Sequence, residues 1–117
     1  MSTATTISTH VLDVSLGKPA ENITATLERI DSHGVFSRIS SYVTNEDGRV
    51  GAMVPSDGSI SAGSYRLTFE VASYFADSRR ESFYRTISID FEVGEQPQHY
   101  HVPLLLSPFG YSTYRGS

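Results

Sequence analysis

The sequence predicts an all-β domain, a sandwich or barrel of about eight short strands. Three observations carry the prediction. In one stretch Tyr65, Leu67, Phe69 and Val71 oppose Arg66, Thr68 and Glu70, and in another Ile87, Ile89, Phe91 and Val93 oppose Ser88, Asp90 and Glu92. A repeat of two is that of a strand with one buried and one wet face, so both stretches read as antiparallel strands. Turn-forming clusters punctuate the chain at short spacing, and nothing in it repeats or is of low complexity.

In chain order, weaker strand runs lie at Ile7–Val14, Ile23–Ile30, Val35–Val43 and Val50–Val54, ahead of the two clean runs, Tyr65–Val71 and Ile87–Val93. Two more follow, His99–Leu106 and Tyr111–Arg115. The separating turns are Gly17-Lys18-Pro19, Ser32-His33-Gly34, Asp47-Gly48, Ser56-Asp57-Gly58, Ala62-Gly63 and Ser107-Pro108-Phe109-Gly110. Between the two clean strands, Ala72–Ser78 breaks alternation and suits two turns of helix. Pro103 brings no N–H to the run that contains it, which predicts a sheet edge or a bulge there.

The 117 residues suffice for one domain, 1–117, that buries about two thirds of its unfolded surface. Nine Lys and Arg stand against thirteen Asp and Glu, a net charge of −4, and Lys18 is the single lysine. With no basic cluster, the chain lacks the electrostatic footprint of a nucleic-acid binder. The absence of cysteine excludes disulfides, thiolate nucleophiles, Cys-ligated zinc and iron–sulfur clusters. No run approaches the ~20 apolar residues that span a bilayer, so no membrane partner is expected. Met1–Thr6 carries neither a basic segment nor an apolar stretch of signal length, and the expectation is a cytoplasmic protein.

The polar residues that can carry chemistry are few. His99 and His101 share one face of their strand, while Tyr100, Val102, Leu104 and Leu106 form the opposite, core-directed face. Three readings of the paired imidazoles stand side by side. They are solvated surface histidines, or two of the three ligands of a metal, or acid–base groups whose ordinary pKa of about 6.5 suits neutral pH. His10 shares a face with Leu12 and Val14, the setting of a partly buried histidine with its hydrogen bonds satisfied. Arg49 follows the Asp47-Gly48 turn, either as a free surface cation or with its permanent charge aimed at a developing anion. The last strand runs nearly to the terminus, puts Tyr114 and Arg115 on opposite faces, and suggests that the end of the chain lines something. Phosphate loops, a Gly-x-Ser-x-Gly elbow, His-Glu-x-x-His and paired carboxylates are all missing.

Three stretches, Ser8-Thr9-His10-Val11-Leu12-Asp13, Thr44-Asn45-Glu46-Asp47-Gly48-Arg49, and the whole of His99 to Ser117 ending Tyr114-Arg115-Gly116-Ser117, resemble the 5-hydroxyisourate hydrolases. These are the enzyme branch of the transthyretin-like family, and the terminal tetrapeptide separates them from hormone carriers. The resemblance implies a transthyretin-like β-sandwich of two four-stranded sheets with one short helix, assembled as a homotetramer whose sites lie in a channel between dimers. It implies a metal-free and cofactor-free hydrolysis of a small-molecule substrate, 5-hydroxyisourate, with His10, Arg49 and His101 catalytic. His10, Arg49, Tyr114 and Ser117 would hold the substrate, and His99 and Arg115 would stand behind them. In the implied mechanism one of His10 and His101 takes a proton from the attacking water, and the other orients that water or protonates the departing nitrogen. Arg49 stabilises the oxyanion. Two rival expectations are a carrier that binds a small aromatic ligand without turning it over, and a structural sandwich domain that is monomeric with a featureless polar surface.

Overall fold

Alternating residues assemble into two sheets whose apolar faces meet. The structure, a computed structural model, describes residues 4–53 and 60–117. Along the chain come β1 (Thr6–Asp13), β2 (Lys18–Pro19), β3 (Thr24–Ile30), β4 (Phe36–Val43), β5 (Arg49–Val50) and β6 (Gly63–Glu70). A short helix, α1 (Val71–Asp77), is followed by β7 (Thr86–Val93), β8 (His99–Ser107) and β9 (Gly110–Thr113). One sheet runs β2-β1-β8-β9 with β5 added against β1, and the other runs β4-β3-β6-β7. The two expected four-stranded sheets are present, the first extended by the two-residue β5. Ile7, Val11, Leu104 and Leu106 from one sheet and Ala25, Leu27, Leu67, Phe69 and Ile87 from the other form one buried core.

Most of the expected elements form, with three shifts. Val71 opens the helix instead of ending a strand, its N–H donating to the Arg85 carbonyl. Within α1, Val71 and Phe75 fall four residues apart on one face and are buried, and that pair docks the helix. Lys18 and Pro19 belong to β2, paired with Asp13 and Leu12, and not to a turn. The reversal is complete one residue earlier, where Gly17 takes φ +69° and donates to the Asp13 carbonyl. Of the Val50–Val54 run only Val50 lies in a strand; Val54, the Ser56-Asp57-Gly58 turn and residues 1–3 lie outside the described residues.

Pro103 departs from a further expectation. It sits in β8, inside its sheet between β1 and β9, and is neither at an edge nor at a bulge. Its missing N–H falls on the β9 side, where the ladder stops at Leu104 opposite Thr113 and resumes in the same register at His101 opposite Gly116. The Pro103 carbonyl on that side accepts from Thr113 Oγ1 at 2.7 Å. The proline therefore removes a bond the sheet does not make.

One buried charge ties the layers together. Asp13, at 0% exposure, accepts from Tyr74 Oη and Arg80 Nη2, both at 2.7 Å, and from Ser15 Oγ at 2.5 Å. Burial alone would raise its pKa, but the hydrogen bonds from Arg80, Ser15 and Tyr74 and the Arg80 charge hold it down at about 2. Burial and the neighbouring Asp13 push Tyr74 up to about 12.

Candidate active site

β1 and β8 lie side by side and parallel, which brings together residues more than ninety positions apart in the chain. Cα partners run Thr6 to His99, Ser8 to His101 and His10 to Pro103. Partners share a face, so Thr6, Ser8, His10, His99 and His101 all project from the side of the sheet opposite the core. Tyr100, Val102, Leu104 and Leu106 are buried on the core side, as the alternation of the strand predicts. On the other edge of β1, His10 pairs with Arg49.

The segment from Thr44 to Arg49 is built to put Arg49 there. Thr44 Oγ1 donates to the Ala20 carbonyl at 2.8 Å and accepts from Ile23 N at 2.9 Å, which anchors the start of the turn. Asn45 Oδ1 then accepts from the N–H groups of Asp47 and Arg49 at 2.9 and 3.0 Å. Gly48 takes φ +73°, and a Cβ there would stand 2.4 Å from the Val11 carbonyl oxygen. Only glycine meets both the left-handed backbone and the close approach to β1 that sets the register of Arg49 against His10.

Four hydroxyl and imidazole groups are linked along the outer face. His99 Nδ1 lies 2.5 Å from Thr6 Oγ1, and His99 Nε2 lies 2.8 Å from Ser8 Oγ. The same Ser8 oxygen lies 2.8 Å from His101 Nδ1. The two rings are close to parallel, 18° apart with centroids at 6.4 Å. Gly116 closes the other side of His101: its N–H donates to the His101 carbonyl at 2.8 Å, and a Cβ would stand 2.4 Å from His101 Cδ2. Thr6, Ser8 and Gly116 are not among the residues that the sequence singles out. The roles of the first two become legible only with the register between β1 and β8, although Ser8 opens the quoted Ser8–Asp13 stretch. The position of Gly116 inside the terminal tetrapeptide was the one signal for the third.

Ser8, Arg49, His99, His101 and Ser117 line a polar groove of about 280 Å³. His10 neighbours it electrically. Burial and the Arg49 charge lower its pKa, against a hydrogen bond to the Asp47 backbone and the Asp47 charge. Burial, then Arg49, His10 and His99, lower His101. Both imidazoles are therefore held toward the neutral form beside a permanent cation, the combination that proton transfer plus anion stabilisation requires. Tyr114 and Arg115 line a second, mostly apolar hollow of about 270 Å³ with Ile89, Phe91 and Tyr100, and His101 borders both. Tyr114 is 59% exposed. The Arg115 guanidinium carbon stands 4.7 Å from the Tyr100 ring centre and its Nη2 donates to Gln98 Oε1. The chain thus leaves β9 at Thr113, earlier than its pattern predicts, and Tyr114 and Ser117 fall to different hollows. As for the metal alternative, no group of three or more His, Asp or Glu side chains among the described residues is placed to hold a metal ion. No helix among them is long and apolar enough to cross a membrane.

Comparison with known proteins identifies the family and the fold. The model of the HIUase/Transthyretin family matches residues 7–116. The 5-hydroxyisourate hydrolase of Deinococcus radiodurans is 41% identical over 114 residues, covering 95% of each chain. A probable 5-hydroxyisourate hydrolase of Caenorhabditis elegans is 43% identical over 111 residues, 95% of this chain and 81% of that one. Among solved structures, Klebsiella pneumoniae 5-hydroxyisourate hydrolase superposes with a TM-score of 0.83 at 42% identity, over 96% of this chain and 99% of the other. Transthyretin from Sparus aurata superposes with a TM-score of 0.86 at 26% identity, over 94% and 95%. The sandwich is transthyretin-like, and with a match over nearly its whole length the chain belongs to the HIUase/transthyretin family.

Proposed function

We propose that this chain is a single-domain enzyme that hydrolyses 5-hydroxyisourate to 2-oxo-4-hydroxy-4-carboxy-5-ureidoimidazoline, a step of urate degradation, without metal or cofactor. The observation that carries the reading is the union of His10, His101 and Arg49 on one sheet face, with both imidazoles held toward neutrality. The names and identities of the relatives support the substrate. His101 takes a proton from water as its oxygen bonds to the ring carbonyl carbon. Arg49 meets the oxyanion with a charge that persists at any working pH. His10, held toward neutrality by burial and the Arg49 charge, orients the water. Ser117 holds the substrate from the end of the groove, and Tyr114 reaches it from the neighbouring hollow. The homotetramer and the cytoplasmic setting expected from the sequence belong to the same proposal: a groove this open on one protomer gains a second wall when another packs on it.

The reading is tested by generating 5-hydroxyisourate in place from urate with urate oxidase and following its ultraviolet decay, with and without the protein. Accelerated decay that survives a chelator supports a metal-free hydrolase. Acceleration abolished by the chelator revives the metal reading, and none from folded protein favours a carrier. A second expectation concerns Gly116. Gly116→Ala drives a methyl into the His101 ring, and a displacement of that size costs about 100-fold in turnover. Circular dichroism of the variant is expected to match wild type; a fully active variant would show that His101 need not sit where it does.

A further inference from the structure

Ser8 Oγ has one proton to give, yet it stands within hydrogen-bonding distance of two ring nitrogens, His99 Nε2 and His101 Nδ1. It donates to one neutral ring and accepts from the other, so the tautomers of the two imidazoles are locked to each other. Thr6 Oγ1 at His99 Nδ1 extends the same rule one group outward. With both rings neutral, the chain of groups has two consistent states. In the first, His101 Nδ1–H donates to Ser8, Ser8 donates to His99 Nε2, and His99 Nδ1–H donates to Thr6; His101 Nε2 is then a lone pair. In the second every bond is reversed and His101 Nε2 carries a hydrogen.

We infer that Thr6, His99 and Ser8 form a proton relay that lets His101 serve first as base and then as acid without carrying positive charge. The inference rests on the hydrolase reading for its chemistry and on geometry alone for the relay. In the first state His101 Nε2 takes a proton from water while the hydroxide oxygen bonds to the carbonyl carbon. The Nδ1 proton passes to Ser8, the Ser8 proton to His99 Nε2, the His99 Nδ1 proton to Thr6, and the Thr6 proton to solvent. This leaves the second state. When the ring C–N bond breaks, its electron pair takes the Nε2 proton of His101, and one proton enters from solvent at Thr6 and shifts each group back. One proton leaves and one returns per turnover, so the balance closes.

The arrangement of the face says why such a relay is useful. Arg49 and His10 occupy the pair next to Ser8 and His101, and a cationic His101 would face both. The Thr6–His99 pair lies one more same-face step away, roughly 7 Å along the strands, where a transient proton meets less repulsion. His99 and Ser8 are thus positioning residues that act through His101, which assigns a role to His99.

The test combines kinetics with nitrogen spectroscopy. Ser8→Ala is expected to lower kcat about 10- to 100-fold with KM within about twofold, and Ser8→Thr, which restores a hydroxyl, to recover much of the loss. His99→Phe keeps the ring volume, removes both nitrogens and is expected to fall equally. The Ser8→Ala/His99→Phe double variant falls no further, because one broken link already stops the relay. Nitrogen-15 shifts of the His101 ring in full-length protein read the tautomer directly and are expected to move in both single variants. Additive losses together with unchanged His101 ring shifts would overturn the relay while the hydrolase reading stands. Failure of wild type to turn over substrate would instead sink the hydrolase reading, and the ring shifts would still decide whether Ser8 couples the two imidazoles.

Discussion

His101→Asn is expected to lower turnover of 5-hydroxyisourate by about two to four decades, the contribution of a positioned general base. Asparagine keeps a polar group near Ser8 but cannot take a proton, and the residue lies on the outer face, so melting should change little. The pH profile checks the same assignment in wild type. Burial, then Arg49, His10 and His99, hold the His101 pKa below 6.5, and the base works only when neutral. Activity therefore persists through pH 6.5 and falls only at lower pH, as His101 takes up a proton. The decay assay run from pH 5 to 8 on wild type and variant reads both. An asparagine variant that keeps a tenth of wild-type activity would remove His101 from the chemistry.

The second large effect concerns stability. Asp13→Ala is expected to destabilise the fold by about 3 kcal/mol, because the Tyr74 hydroxyl and the Arg80 guanidinium lose the fully buried carboxylate on which they converge, Arg80 keeping its bonds to Ser15 and Ser78. Urea denaturation at neutral pH measures it. The pH dependence carries its own sign. The folded-state pKa of about 2 lies below the ordinary value near 3.9. The stabilisation is complete above about pH 4 and is lost as pH falls toward 2, on the order of 2 kcal/mol for this group. Wild type should therefore lose stability across that window and the variant lose less; identical acid profiles would show that Asp13 is not held in its charged form.

Much of this molecule is legible in the order of its residues. Alternation alone gives β6 and β7 nearly residue for residue, and it gives the inward Tyr100, Val102, Leu104 and Leu106 against the outward histidines. The Asp47-Gly48 turn ahead of Arg49 reads as one in sequence, whereas the task of Asn45 in it shows only in the structure. The parallel marriage of β1 to β8 is what no local pattern reveals. Periodicity says which way a side chain faces, never which strand lies alongside. Ser8 is therefore an ordinary strand serine in sequence and a shared hydrogen-bond partner in space. Pro103 misled for a related reason, since its cost depends on what the neighbouring strand asks of it. His10 is partly buried, as its apolar neighbours in sequence predict, and only the pairing with Arg49 across the strands shows what it faces.

That pairing also makes the groove a late product of folding. Thr6 and His99 stand 93 positions apart, and nearly the whole chain must be traversed before the first of their contacts can form. Closing so long a loop costs entropy that local hairpins such as β6–β7 do not incur, and contacts of such separation slow folding. A ribosome-bound chain still lacking β8 holds His10 and Arg49 but neither Ser8's partner nor the relay. Turnover regained during refolding therefore cannot precede the moment when β1 and β8 meet.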